Sequence, residues 1–304
     1  MIPPATEYPQ AAQRRFELDW LRVLAFGLLI FYHIGMLYVE RWGFHFKSQY
    51  LSSSLEYLML LSTPWRMLLI WFISGYALGA VMQHCAGWLH YFQFGLRRTV
   101  ILLLPLLVGL WLIVPPQLYA EMVQKDGLSL SYWQFYQAFI NLQHPLFADY
   151  QSGVWPHVDV NHLWFLRSLW QFTLLALLLM PILHSRLLQQ TCRWFCQLAL
   201  PWQLLAWSAL LLLIRTEASG DAVRELQGFV VFLLGLLVVR QPDFWQQLTQ
   251  SRRWLGWLCL LNYGVLCCLY FLVYQPEQLP ALLQPAIEPG LQLSFSVQAV
   301  AMLF

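Results

Sequence analysis

Arg22 and His33 stand 11 residues apart in one apolar run, Leu18-Asp19-Trp-Leu-Arg22-Val-Leu-Ala-Phe-Gly-Leu-Leu-Ile-Phe-Tyr-His33. Ionisable groups inside such a run are costly in a bilayer and are functional candidates facing a bundle interior. At about 100° per residue the two fall within about 20° of one helix face, roughly 16 Å apart along the axis. Asp19, three residues before Arg22, can pair with it near the start of the span. One face therefore offers a cation for an anionic group and, farther along, a titratable imidazole. On residue types alone two readings stand. The face binds and reacts, or Arg22 snorkels to lipid phosphate while His33 hydrogen-bonds across helices.

Further residues could act with this pair. His157-Val-Asp159-Val-Asn161-His162 leads into Leu-Trp-Phe-Leu-Arg167. His and Asp there suit acid/base or metal chemistry, but a helix start capped by Asn161 accounts for the same composition, and no third metal ligand is identified. The pair Arg97-Arg98 either anchors a span on its cytoplasmic side or binds phosphates. Arg66, two residues past Pro64, needs an anionic partner, for which Glu56 or a substrate could serve. Phe72-Ile73-Ser74-Gly75 reads as small-residue helix packing. A Gly-rich phosphate loop, a nucleophile-elbow Ser and an EF-hand pattern are all absent from the sequence. Cys192 and Cys196 lack a second pair or nearby His, so no metal site is expected.

These residues must be positioned by membrane helices. Of 304 residues 59% are hydrophobic and 11% charged, with mean hydropathy +0.54; soluble domains carry about 25% charged residues. Disordered, collagen-like and disulfide-scaffold classes are excluded by the aromatic content, the scattered glycines and only 6 Cys. The 17 basic and 15 acidic residues give +2, so no nucleic acid partner is expected.

Spans of about 20 apolar residues are predicted at Leu18–Val39, Leu55–Met82, Thr99–Val114, Leu163–Leu183, Trp194–Ile214, Leu226–Val239 and Trp254–Tyr274, with a partial eighth from Leu291 to Phe304. Leu55–Met82 is too long for one upright helix and is expected to be tilted, kinked or preceded by an interfacial turn. The fold class is an all-α polytopic transmembrane bundle forming a single integral-membrane domain over residues 1–304. The expectation is that it lacks its C-terminal part. With the N-terminus cytoplasmic, Arg14, Arg15, Arg97, Arg98, Arg186, Arg193, Arg240, Arg252 and Arg253 fall inside. Arg41, Lys47, Lys125, Arg215 and Arg224 then fall outside, which favours this orientation. The Cys residues then fall inside or within spans, consistent with reduced thiols. The largest loop, Pro115–Asn161, is placed outside and is aromatic enough to pack as an interfacial helix or lid.

Leu18-Asp19-x-x-Arg22 with His33, Phe72-Ile-Ser-Gly75-Tyr, Leu104-Pro-Leu-Leu-x-Gly109 followed by Pro115-Pro116-Gln-x-Tyr119, and His162-Leu-Trp-Phe-Leu166 occur in that order. Together they resemble the acyltransferase-3 family of bacterial membrane O-acyltransferases, and the last two features are most similar to its glucan succinyltransferase branch. The resemblance implies a ten-helix bundle in the bacterial inner membrane. Such a bundle moves an acetyl- or succinyl-type group from cytosolic acyl-CoA, as co-substrate, to a glycan hydroxyl outside, without a resident cofactor. It implies His33 as the catalytic imidazole, as general base or as transient acyl carrier. Arg22 and Arg98, with neighbouring Arg97, would hold the donor; Asp19 and Arg66 would support. With the N-terminus inside, His162, Asp159 and Trp133 are expected on the face where a glycan would arrive. The chain departs from the family pattern at Ile101, where the second arginine of an Arg-x-x-Arg donor motif would fall. A transporter or export subunit with an intramembrane Arg/His pathway is the competing class, although no repeat of broken spans supports it.

The orientation has a direct test. A cysteine introduced at Ser129 is expected to react with an impermeant thiol reagent added to intact cells from outside. Labelling only after membrane disruption would invert the topology.

Overall fold

The computed structural model describes residues 16–83, 85, 87–141, 143–147, 163–275, 277, 280 and 283–304. Among them no strand occurs; the regular elements are helices α1 (Phe16–Met36), α2 (Ser54–Leu60), α3 (Arg66–Met82), α4 (Trp88–Leu112), α5 (Val114–Lys125), α6 (Tyr132–Ile140), α7 (Trp164–Leu183), α8 (Arg186–Gln197), α9 (Leu200–Glu217), α10 (Asp221–Val238), α11 (Pro242–Tyr274) and α12 (Gln284–Leu303), with a 3₁₀ turn at Pro145–Phe147. Hydrocarbon offers no hydrogen-bond partner, and helices satisfy their backbone groups internally. Large apolar side chains stand exposed along the helices, among them Val23, Leu24, Ile30 and Phe31 on α1. In water such continuous apolar surface would not be tolerated.

Among the described residues, four helical stretches are long and apolar enough to cross a membrane: Phe16–Met36, Trp88–Lys125, Trp164–Leu183 and Pro242–Tyr274. Arg186–Gln197 and Leu200–Glu217, bent by 118°, make a fifth if the pair is one span. This is fewer than the seven complete spans expected, and the reasons are local. The Leu55–Met82 stretch breaks between α2 and α3. Pro64 has no amide to donate, and Trp65 and Arg66 both donate their amides to the Ser62 carbonyl. That leaves α3 with 17 residues. Within Trp194–Ile214 the backbone turns extended at Leu198, and Pro201 sits in the first turn of α9. The polar residues Arg186, Gln189, Gln190, Arg193 and Gln197 fall on one side of α8, the pattern of a helix lying in the interface. Helix α10 is longer than expected but opens with Asp221, Arg224 and Glu225. Helix α11 also exceeds its predicted span; its 33 residues reach about 50 Å, more than the hydrocarbon thickness.

The chain divides into two compact units. The first contains α1 as far as Phe31, α3 and α8 to α12. Its tightest pairing is α3 against α10. A Cβ at Gly75 would run into the Phe232 carbonyl, and one at Gly235 into the Phe72 carbonyl; Gly79 faces Leu236 in the same way. Glycines a turn or two apart on each helix thus let the two backbones touch, the small-residue packing used where no hydrophobic force drives helices together. Polar side chains join the other pairs. Gln227 donates to the Leu211 carbonyl (2.8 Å), and Asn262 donates to the Ser294 carbonyl and to Gln298 Oε1, both at 2.9 Å. At the corner between α8 and α9, Gln203 Nε2 donates to the Leu198 carbonyl and to Gln247 Oε1.

The second unit contains the end of α1 from Tyr32, α2 through Met59, and α4 to α7 as far as Ile182. Leu106, Leu110, Leu118, Phe135, Phe139 and Phe147 form its main core. The stretch expected as an interfacial helix or lid supplies α5, α6 and the 3₁₀ turn. A capping box at Ser131 and Gln134 starts α6. Trp170 donates to Thr99 Oγ1 at 3.0 Å, fixing α7 to α4.

The close packing of α3 on α10 predicts that Gly75→Val lowers stability by about 1–3 kcal/mol or more, read as a lower thermal unfolding midpoint in detergent. Gly264→Ala, where a Cβ meets nothing within 4 Å, is expected to leave that midpoint unchanged.

Candidate functional site

Helix α1 is unbroken from Phe16 to Met36, so Arg22 and His33 do lie about 16 Å apart along one axis. His33 falls in its last turn. The helix ends as Gly35 meets Met59, whose Sδ lies 2.8 Å from where a Gly35 Cβ would be. Its final carbonyl, at Met36, and those of the turn just beyond it are taken up by the chain that follows. Lys47 Nζ donates to the Met36 and Val39 carbonyls at 3.0 and 2.7 Å, and the Ser48 amide donates to the Leu37 carbonyl at 2.8 Å. A cation on terminal carbonyls also opposes the negative end of the helix dipole.

This returning segment, residues 41–52, wraps the end of α1 like a strap and is pinned at three points. Arg41 donates its backbone N–H to Glu56 Oε1 at 2.7 Å and its guanidinium to Oε2 at 3.3 Å, and the Glu56 side chain is fully buried. His45 Nδ1 lies 2.7 Å from Glu121 Oε2, and Lys125 Nζ lies 2.7 Å from Glu121 Oε1. Lys47 and Gln124 exchange hydrogen bonds, main chain to side-chain amide, at 3.1 and 2.9 Å. Burial pushes the Lys47 ammonium below its ordinary pKa, and the nearby Glu56 carboxylate works against that shift.

The strap brings aromatic rings around the imidazole. His33, half-buried, has Tyr32 edge-on and Phe44 tilted against it, each with ring centroids 6.3 Å away. Tyr32 stacks on Trp42 at 6.5 Å, and Phe44 lies 5.3 Å from the His45 ring. An imidazole so bracketed is held in orientation while part of it stays accessible, as a proton acceptor or nucleophile requires.

The other expected residues are spread over the two units. Arg22 is exposed, and its guanidinium carbon lies over the Phe26 ring, 6.0 Å from the ring centre. Asp19 is exposed on the first turn of α1. Arg97 is exposed and Arg98 half-buried on α4, with Ile101 exposed one turn on. Arg66 opens α3 half-buried. Trp133 is 66% exposed on α6 and stacks on Tyr136 at 6.1 Å and 12°, while the Tyr136 hydroxyl donates to the Trp111 carbonyl. Asp159 and His162, with His157 and Asn161, lie outside the described residues.

Sequence reasoning missed Trp42, Phe44, His45, Lys47 and Glu121. The signal was present in the run Arg41-Trp-Gly-Phe-His45-Phe-Lys47, three cationic or titratable residues among aromatics directly after the His33 helix. Glu121 gave little sign beyond standing four residues before Lys125.

Neither the curated proteins nor the solved structures contain a match to this chain. The family model of an acyltransferase domain, of the acyltransferase-3 type, matches residues 15–304. That match takes in α1 with Arg22 and His33 and runs through α12 to the last residue. With its apolar helices, the chain belongs to the acyltransferase-3 family of membrane acyltransferases.

Proposed function

We propose that the protein transfers an acetyl- or succinyl-type acyl group from cytosolic acyl-CoA to a hydroxyl of an extracytoplasmic glycan. The observation that carries the reading is α1, one uninterrupted helix with an arginine near its start and a bracketed imidazole in its last turn. On this reading the N-terminus lies in the cytoplasm of a bacterial cell and the inner membrane is the location, a reading supported by the apolar helices long enough to cross a membrane. Arg22, Arg97 and Arg98 are then cations for the phosphates of the donor, with Asp19 and Arg66 in support. His33 acts on the acceptor side. In this topology Trp133, with Tyr136 stacked beneath it, offers a flat apolar face with polar edges to a sugar ring. His162 and Asp159 belong to the same side.

The reaction needs no ATP, because a thioester is already activated. The His33 imidazole takes the acceptor hydroxyl proton as the oxygen attacks the thioester carbonyl, or carries the acyl group itself between the two partners. In both routes the C–S bond breaks, an ester C–O bond forms, and the hydroxyl proton ends on the coenzyme A thiol.

The test is consumption of acetyl-CoA or succinyl-CoA by purified protein with a glucan oligosaccharide, followed by mass spectrometry of the sugar. His33→Ala is expected to lower transfer by about 100-fold or more while the protein inserts and accumulates normally. Wild-type transfer by the variant would reduce His33 to a packing residue, and solute movement without thioester cleavage would make the protein a transporter.

A phosphate contact far from the reacting carbon is made equally in ground and transition states. Arg98→Ala is therefore expected to raise KM for acyl-CoA by about tenfold with kcat little changed, and Arg97→Ala to do less. Equal small effects with altered topology would show both arginines to be anchors of α4.

A further inference from the structure

The bond between His45 and Glu121 lies outside every role assigned so far. It joins a loop to a helix more than 70 residues away in sequence, and two further ties lie beside it. Lys47 and Gln124 exchange hydrogen bonds one turn along α5, and Lys125 holds the second oxygen of Glu121. The loop so anchored carries Phe44, whose ring rests between those of His33 and His45. It also carries Lys47, which closes the end of the helix bearing His33.

We propose that the His45–Glu121 bond is a positioning device for His33: it clamps the 41–52 strap to α5 and so seats Phe44 against the imidazole. The inference rests on the acyl-transfer reading above. With Glu121 as carboxylate accepting from His45 Nδ1–H, and its other oxygen taken by Lys125, neither oxygen is free to swing away. The strap is then fixed from both ends, through Arg41 on Glu56 and through His45 on Glu121. Phe44 lies between these anchors and cannot retreat from His33 without breaking one of them. The χ freedom left to an imidazole in a last helical turn is reduced by the Phe44 ring packed against it. A near-attack geometry is sensitive to displacements of the order of an ångström, so slack in the strap reads out in the chemical step and not in donor binding.

The experiment uses the full chain in proteoliposomes, with acetyl-CoA or succinyl-CoA and a glucan oligosaccharide, and pairs kinetics with tryptic cleavage after Arg41 and Lys47. Glu121→Ala and His45→Ala are expected to lower kcat about tenfold with KM for acyl-CoA within about twofold, and to speed cleavage in the strap. Their double variant should fall no lower than either single one, because both remove the same bond. Glu121→Gln keeps an acceptor oxygen and His45→Asn keeps a donor near the Nδ1 position; both should retain kcat within about threefold. Phe44→Ala should lose kcat with the strap still protected. A strap freed by Glu121→Ala with kcat unchanged, a Phe44→Ala variant with unchanged kcat, a loss confined to KM, or a His45→Asn variant as inactive as His45→Ala would each overturn the positioning role alone. A wild-type chain that consumes neither donor overturns the acyl-transfer reading and the positioning role with it.

Discussion

The end of α1 is the constraint around which the second unit is arranged. A helix leaves its last carbonyls without partners, and near the edge of a bilayer those groups cannot simply be left to lipid. Here the solution is Lys47, which returns over the helix end and donates to Met36 and Val39. To place an ammonium there, the chain must double back within about ten residues, and doubling back lays Trp42, Phe44 and His45 beside the last turn. The ring environment of His33 is thus a consequence of capping. Burial disfavours the Lys47 charge, so the cap needs compensation, and the buried Glu56 supplies part of it while also fixing Arg41 at the start of the strap.

The two units solve the problem of helix association differently. In the first, α3 and α10 meet through glycines so closely that each places a carbonyl where the other's side chain would start. Hydrocarbon gives no hydrophobic gain for such a contact, so it must be repaid by dispersion over a long interface. In the second, packing is by aromatic and long aliphatic side chains around Phe135 and Phe139. Bulky interdigitated side chains hold a loop-rich region in one arrangement. Closely approached backbones instead suit long straight helices. The imidazole sits in the unit whose geometry is fixed by side chains, where single residues can tune it.

Much of this was legible in the sequence, and the reasons differ from residue to residue. The all-helical class and Arg22 with His33 on a single helix follow from composition and from the 3.6-residue period, both local properties. The break at Pro64 was legible as a kink or turn in an over-long span, whereas the one near Pro201 was not read as a divided helix. An apolar window averages hydropathy over the break, and a short interfacial helix such as α8 differs from a span only in how its polar residues are arranged. The pairing expected of Asp19 with Arg22 rested on spacing alone, and spacing did not single out the Phe26 ring four residues on from Arg22. The strap was invisible for a deeper reason. His45 with Glu121 and Lys47 with Gln124 are separated by 76 and 77 positions, and no periodicity links residues brought together only by tertiary structure.

Catalysis by this fold, on the acyl-transfer reading, divides the work by distance. The phosphates of a coenzyme A and the carbonyl of its acyl group are far apart, so arginines that hold the former act on affinity, while groups about the imidazole act on the barrier. Binding energy from remote phosphates raises the rate only if it is converted into orientation at the reacting carbon. Conversion requires that the imidazole itself not move, because a mobile base would dissipate the alignment that donor binding had established. The Tyr32 and Phe44 rings beside His33, the second carried on a segment tied at Glu56 and Glu121, help to meet that requirement.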